Sequence, residues 1–244
     1  MTINLERRAF VQSGALLATG VALADAVAPR SAAAQTPAAA PPSGAKPMTY
    51  TIKPMSFDPQ KIKGLSEKIL ISHYENNYSG AVKRLNAISE QLAGLDFTKA
   101  PVFLINGLKR EELIAANSMI LHELYFAGLG EESRPGAALA EAISRDFGSM
   151  DRWRAEFVAM GKAEGGGSGW VLLTWSPHDQ RLVNAWAADH TTTLAGGQPI
   201  LALDMYEHAY HMDYGAKAGD YVDAFMQAIR WSNADSVYER FSRG

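Results

Sequence analysis

The sequence predicts an α+β protein, in which helices come first and a small antiparallel sheet with flanking helices follows. Between residues 70 and 163, apolar side chains recur mainly at three- and four-residue steps, which is the period of an amphipathic helix. Short β-prone runs then occupy 171–175, 182–187 and 200–203, and a turn-forming segment joins the first two. These two patterns together define the fold class.

Composition limits the classes of function. The chain has 244 residues, of which 47% are hydrophobic and 20% charged, which is enough for one sizeable core. A formal net charge of −3 argues against nucleic acid or an anionic membrane surface as a partner. The absence of cysteine excludes disulfides, thiolate metal sites and cysteine nucleophiles, and it fits either a reducing or an oxidising compartment.

Residues 1–34 have the pattern of a twin-arginine export signal. Arg7 and Arg8 precede a weakly apolar run over 14–24, and the three alanines at 32–34 offer a cleavage site. An uncleaved membrane anchor is the less favoured alternative, because the apolar run is shorter than the roughly 20 residues that span a bilayer. We therefore expect an exported, periplasmic protein that is free of the membrane after signal cleavage.

The first folded element is predicted to be a long helix. Residues 35–49 are rich in proline and alanine and are predicted to form a disordered linker. Ser66 then supplies a helix N-cap, and the apolar positions between 70 and 92 share one face. His73 lies on that buried face, where a single histidine is more often a core residue than a metal ligand.

A second helix is predicted over 110–126, after a loop at 95–106. Gly128 and Gly130 end it, and His122 lies inside it. Two further amphipathic helices are predicted over residues 137–147 and 150–163.

The sheet begins after a glycine-rich run at 165–169. This run is not a phosphate-binding loop, since neither a lysine nor a helical pattern follows it. The turn at 176–180 makes the first two strands a hairpin and leaves His178 exposed to solvent. Two C-terminal helices are predicted over residues 219–231 and 235–241.

Asp204 and His208 stand four residues apart, directly after the strand at 200–203. This spacing can direct both side chains toward one point, and oxygen and imidazole donors without thiolate suit iron, manganese or zinc. In the alternative reading, Asp204 caps a helix and His208 packs against it, which is the commoner meaning of an isolated D-x-x-x-H.

The longer string favours a metal site. Residues 204–214 read D-M-Y-E-H-A-Y-H-M-D-Y, which resembles the D-x-W-E-H-A-Y-x-x-D-Y signature of the iron/manganese superoxide dismutase family, with Tyr206 in place of the usual Trp. The segment that starts H-Y at His73 and continues V-K-R-L-N is similar to the first ligand helix of that family. H-E-L-Y-F from His122 is a looser match to the second ligand helix, and G-S-G-W ending at Trp170 matches the entry to the first strand.

The resemblance spans nearly the whole segment 50–243 and implies both architecture and chemistry. An N-terminal helical hairpin domain at 50–130 and a C-terminal α/β domain at 131–244 would bind one iron or manganese ion per chain between them, with iron favoured. The reaction implied is the conversion of superoxide to O2 and H2O2. The ligands implied by position are His73, His122, Asp204 and His208.

Several positions depart from the family pattern. Asn77 and Ala81 stand where the family usually has His and Tyr, and that His is the gateway residue of the site. His211 stands where the family usually has a Tyr that reaches the gateway His of the partner subunit. Because an amide and an imidazole can share a hydrogen bond, Asn77 and His211 form a reciprocal replacement. The resemblance also implies a homodimer or higher homo-oligomer with Glu207 and His211 at its interface.

The pocket wall carries the remaining site residues. In the family a Gln, or in some members a His, hydrogen-bonds the metal-bound solvent, and Ser118 on the second helix is too short for this. With a gap of one or two residues, His190 takes that position, which leans toward iron; otherwise it is an ordinary loop residue. Trp170 and Tyr206 would line the pocket. The alternative function, suggested by Asn77 and Ala81, is a dismutase-fold metal-binding protein with weak or no dismutase activity.

Overall fold

A computed structural model of the chain describes residues 44–131 and 133–242. The predicted export signal at 1–34 and residues 35–43 of the predicted linker lie outside the described residues. Residues 44–49 have neither helix nor strand. Among the described helices, none combines the length and the apolar composition needed to cross a bilayer.

The first predicted helix is present, but it changes its winding part-way. Helix α1 (Glu67–Ser72) begins at Ser66, whose hydroxyl accepts a hydrogen bond from the Ile69 amide at 3.1 Å. A π-helical turn follows at His73–Tyr78, and helix α2 (Ser79–Ala93) continues from it. π-Helical turns are rare and are frequently found at functional sites. The turn that starts at His73 therefore makes this histidine a candidate site residue.

Helix α3 (Val102–Ala127) packs against α2 and is longer than the sequence predicts. The predicted loop at 95–106 is wrong in its second half, because the carbonyl of Pro101 accepts the amides of Leu104 and Ile105 and so starts the helix earlier. Val102 and Phe103 point outward, with 81% and 77% exposure. Because the exposed face also carries apolar side chains here, the sequence does not show the amphipathic pattern from which a helix is predicted.

Helices α4 (Ala137–Phe147) and α5 (Met150–Ala163) have the predicted bounds. The hydroxyl of Ser149 accepts a hydrogen bond from the Arg152 amide at 3.0 Å, which is the expected N-cap of α5. Both helices pack on the hairpin strands of the sheet.

The sheet has three antiparallel strands in the order β2-β1-β3, namely β1 (Trp170–Ser176), β2 (Arg181–Ala187) and β3 (Gln198–Asp204). Central strand β1 is buried throughout, and Trp170 pairs with Ala187 on one side and with Asp204 on the other. In the β1–β2 turn, the His178 side chain is 93% exposed, as predicted. The α+β fold class is therefore confirmed.

The last helices differ from the prediction of one helix over 219–231. Helix α6 (His211–Tyr214) and helix α7 (Ala218–Phe225) come first, and helix α8 (Trp231–Ser242) starts only after a break. In the break, the Arg230 amide donates to the Gly128 carbonyl at 2.7 Å, and the Ala228 carbonyl accepts from the Gly130 amide. The chain is extended here because it pairs with the segment that follows α3.

Candidate metal centre

Four side chains from three parts of the fold meet at the end of β3. The Nε2 atoms of His73, His208 and His122 lie 3.1, 3.2 and 3.5 Å from Oδ2 of Asp204, and all four donor atoms lie within 4.8 Å of one another. Donors about 2.0 to 2.2 Å from a single ion would be separated by roughly 3 to 4.4 Å. The cluster therefore has the size of a mononuclear metal site.

The orientation of His122 is fixed from within its own helix. Its Nδ1 lies 2.7 Å from the carbonyl oxygen of Ser118, one turn earlier on α3. Because a carbonyl only accepts, Nδ1 carries the hydrogen, and Nε2 presents a lone pair to the cluster. This Nε2 is buried and has no hydrogen-bond partner among the described residues. An orphaned imidazole nitrogen of this kind fits a metal ligand.

Asp204 is held by hydrogen bonds to both its side chain and its main chain. Its Oδ1 accepts a hydrogen bond from the Tyr206 amide at 2.8 Å, which leaves Oδ2 for the cluster. Its own carbonyl accepts from the phenol of Tyr221 at 2.7 Å. His73, from the π turn, packs its ring against those of Tyr125 and Phe126 on α3. These contacts place the donors before any ion binds.

Burial and charge give the cluster the protonation state that metal binding needs. Burial lowers the pKa of His122 to about 3 and also lowers the pKa of His73, which the nearby carboxylate only partly offsets. Burial opposes ionisation of Asp204, but the charge of His208 and the hydrogen bonds from His208 and His73 hold the pKa of this carboxyl well below its usual range. At neutral pH the buried imidazoles are neutral and the carboxylate is ionised.

The four side chains of the cluster differ in their exposure to solvent. The His208 side chain is 26% exposed, whereas those of His73, His122 and Asp204 are 1% exposed or less. In the single chain, the cluster is therefore most accessible at His208.

His190 lies beside the cluster and is locked in one orientation. The indole Nε1 of Trp170 donates to its Nδ1 at 3.0 Å, and its ring stacks on that of Tyr206 with centroids 4.7 Å apart. The side-chain amide of Asn117 donates to the His190 carbonyl, which fixes the loop. The ring centroid of His190 is 6.0 Å from that of His122. The three pocket residues implied by the resemblance thus lie together.

Known proteins with similar sequences identify the family. The family model described as iron/manganese superoxide dismutases, C-terminal domain, matches residues 135–237. A protein named iron superoxide dismutase from Cupriavidus metallidurans is 69% identical over 187 residues, which cover 77% of this chain and 95% of that protein. The chain belongs to the iron/manganese superoxide dismutase family.

More distant relatives carry both metals in their names. An iron superoxide dismutase from Aquifex pyrophilus is 36% identical over 193 residues, covering 76% of this chain and 88% of that protein. Manganese superoxide dismutase 2 from Haloferax volcanii is 34% identical over 198 residues, covering 79% of this chain and 97% of that protein. Iron or manganese is therefore the cofactor consistent with the family, and the nearer of these relatives is named for iron.

The positions that depart from the family pattern differ in their exposure. Asn77 is half-buried in the π turn, Ala81 is buried on α2, and His211 is exposed at the start of α6. Within the described part of this single chain, no hydrogen bond joins Asn77 to His211. Glu207 is also exposed. The predicted pairing between subunits thus remains a prediction.

Sequence reasoning missed the residues that support the site from behind. The carbonyl of Ser118 orients His122, the amide of Asn117 holds His190, and Tyr221 fixes the strand end at Asp204. A main-chain carbonyl leaves no sequence signal of its own. Asn117 and Tyr221 could be linked to the site only through contacts that are distant in sequence. Glu164, a buried carboxyl near the pocket, was also missed.

Proposed function

We propose that this member of the superoxide dismutase family binds one iron or manganese ion through His73, His122, Asp204 and His208. The observation that carries the proposal is the convergence of three imidazole nitrogens on one oxygen of Asp204. Oxygen and nitrogen donors without thiolate suit iron or manganese. When bound, the metal supplies the one-electron redox chemistry by which superoxide becomes O2 and H2O2.

The residues of the chain bind the ion, limit access and supply a hydrogen-bond donor. Buried Trp170 packs edge-on against the ring of His122, and half-buried Tyr206 stacks on the ring of His208, so the two residues form a wall of the pocket. Because indole only donates, the contact from Trp170 makes the Nδ1 of His190 an acceptor. Neutral His190 then carries its hydrogen on Nε2. We propose that this N–H donates to solvent or substrate in the pocket, the role that the family usually gives to Gln.

Removing the indole donor should therefore weaken activity without emptying the site. We expect Trp170→Phe to retain its metal and to lose activity by about 10- to 100-fold, the usual cost of losing a supporting contact around a metal site. His190→Leu should lose as much, whereas His190→Gln keeps a donor and should retain more. The measurements are metal content and superoxide consumption. Unchanged activity in Trp170→Phe and His190→Leu would remove His190 from the site.

The function itself is tested on the purified mature protein by metal analysis together with a superoxide-consumption assay. Dismutation requires about one Fe or Mn per chain and rapid superoxide consumption that depends on the metal. The alternative, a dismutase-fold metal-binding protein with weak or no activity, is favoured by the lost gateway residues at Asn77 and Ala81. Full metal content with negligible superoxide consumption would decide for that alternative.

We also propose that the protein forms at least a dimer through the face that carries Glu207 and His211. Both side chains are exposed next to the site, as a two-fold interface would require. We expect sedimentation at micromolar concentration to give a dimer or larger species, and Glu207→Ala to shift it toward monomer. A wild-type monomer at that concentration would contradict the proposal, and His178→Ala is the matched control.

Within that interface, Asn77 of one subunit is proposed to hydrogen-bond His211 of the other. If they pair, Asn77→Ala and His211→Ala should each lower turnover or dimer stability, and the double variant should lose less than the sum. The coupling would be on the order of 0.5 to 3 kcal/mol. Additive losses in this double-mutant cycle would mean that the two positions act independently.

Export through a twin-arginine route remains a proposal that rests on Arg7, Arg8 and the alanines at 32–34. It suits a metalloprotein, because this route carries folded proteins whose cofactor is already inserted. Mass spectrometry of the protein from a periplasmic fraction should find an N-terminus near Gln35. An intact N-terminus on cytoplasmic protein would exclude export.

A further inference from the structure

A cavity of about 170 Å³ lies between the N-terminal lead-in at residues 50–56, the π turn and the end of α3. Of the described residues that line it, none belongs to the metal cluster. Phe126 connects the two places, because it lines the cavity and its ring also packs on that of His73 with centroids 5.1 Å apart. The cavity is thus separate from the proposed metal site but close to it.

Three aromatic rings form an apolar wall of the cavity. Tyr74, Tyr78 and Phe126 contact one another with ring centroids 5.3 to 6.2 Å apart. Pro54 and Ala127 lie beside them in the lining. An apolar cavity of about 150 Å³ can hold a benzene molecule. This cavity therefore has room for one aromatic ring, which the three rings would contact.

Most polar groups of the lining are already paired with one another. The phenol of Tyr74 donates to the Lys53 carbonyl at 2.6 Å, and the phenol of Tyr78 accepts from the Lys53 amide at 2.8 Å. The Lys53 ammonium pairs with the Glu123 carboxylate, to which the Tyr78 phenol also donates. Burial raises the pKa of Tyr78 to about 12 and also raises the pKa of Tyr74, so both phenols are neutral. These groups together carry no net charge.

Arg230 is the charged residue of the lining that is left over. It is half-buried, and its guanidinium has neither a hydrogen bond nor an ion pair among the described residues. A Cβ built on Gly130 would lie 3.0 to 3.2 Å from three carbons of the Arg230 side chain, so this side chain is packed in place. The hydroxyl of Ser56, also in the lining, makes no hydrogen bond to another described residue. The cavity thus offers one unpaired positive charge and one free hydroxyl.

We propose that this cavity binds a small aromatic carboxylate. The carboxylate pairs with the guanidinium of Arg230, whose planar N–H groups match its two oxygens, and it accepts a hydrogen bond from Ser56. The aromatic ring of the ligand packs against Tyr74, Tyr78 and Phe126. A neutral ligand would leave Arg230 unpaired, and a dianion would exceed the single positive charge. The inference goes beyond dismutation and does not depend on it.

The test is a titration of the metal-loaded protein with benzoate, followed by calorimetry or by ligand-observed NMR. A ligand of this size should bind wild type with a Kd on the order of 1 mM. Arg230→Gln should weaken binding by about 10-fold or more, because it removes a charge-assisted pair. Arg110→Gln, which changes an exposed arginine on α3, is the matched control and should bind as wild type does. Benzyl alcohol, which has the ring without the charge, should bind wild type about 10-fold more weakly than benzoate.

A second variant tests the place of binding without changing a charge. Ala127→Leu fills the cavity beside the aromatic wall and should abolish benzoate binding, with circular dichroism to confirm that the variant is folded. Benzoate bound at the metal or elsewhere on the surface would survive both Arg230→Gln and Ala127→Leu. Equal affinity in all four proteins, or no binding to wild type at about ten times the expected Kd, would overturn the inference. Neither result would bear on dismutation, which superoxide consumption tests separately.

Discussion

Asp204→Asn is expected to leave the purified protein with almost no bound iron or manganese, against about one ion per chain in wild type. The amide keeps the shape of the side chain but removes the negative charge on which all three imidazole nitrogens converge. Three neutral imidazoles alone are a poor site for a trivalent ion. Superoxide consumption should fall with the metal content, because no other described cluster of His, Asp or Glu has this geometry.

The measurement is metal analysis after dialysis against a chelator, with circular dichroism to confirm that the variant is folded. His122→Ala should show the same loss, since it removes a donor whose orientation is fixed by the Ser118 carbonyl. His178→Ala is the matched control, because its side chain is exposed in the β1–β2 turn and should keep full metal content. Full occupancy in Asp204→Asn would refute the ligand assignment.

The sequence was sufficient to pick out the four residues of the cluster, but only two of them through a local pattern. Asp204 and His208 lie in one short string after a strand, and their spacing alone suggests a shared target. His73 and His122 are different, because each looks like an ordinary core histidine on its helix. Only the resemblance to a family connected them with β3. The structure brings them together because the π turn and α3 both pack at the end of that strand.

The errors in the predicted elements have physical causes that cannot be seen in the local pattern of apolar and polar residues. The early start of α3 was missed because Val102 and Phe103 face solvent. The break before α8 was missed because the Arg230 amide pairs with the Gly128 carbonyl, about a hundred residues earlier in the chain. Glu164 was missed because its burial depends on tertiary packing near Gly169, which the local sequence pattern does not show. Long-range backbone pairing and burial decide these features.

Acidification should strongly destabilise the metal-free protein, because its buried histidines resist protonation. The pKa of His122 is lowered to about 3 by burial first, against 6.5 for an exposed histidine. Between these values the unfolded chain binds more protons than the folded one, so stability rises with pH and is lost as the pH falls. The loss approaches about 1.4 kcal/mol per pH unit, or roughly 5 kcal/mol in total for this residue.

His73 and Asp204 act in the same direction. The pKa of His73 is also lowered, and the depressed pKa of Asp204 contributes stability that is present above its unfolded value and lost as the pH falls toward its folded value. Urea unfolding in a chelator at about pH 7 and about pH 4 should therefore show a large fall in the free energy of unfolding. His122→Asn cannot titrate and should show a clearly smaller fall, whereas His178→Asn should follow wild type. If His122→Asn lost as much stability as wild type on acidification, His122 would have to be protonated in the folded protein, and its lone pair would not be available to a metal.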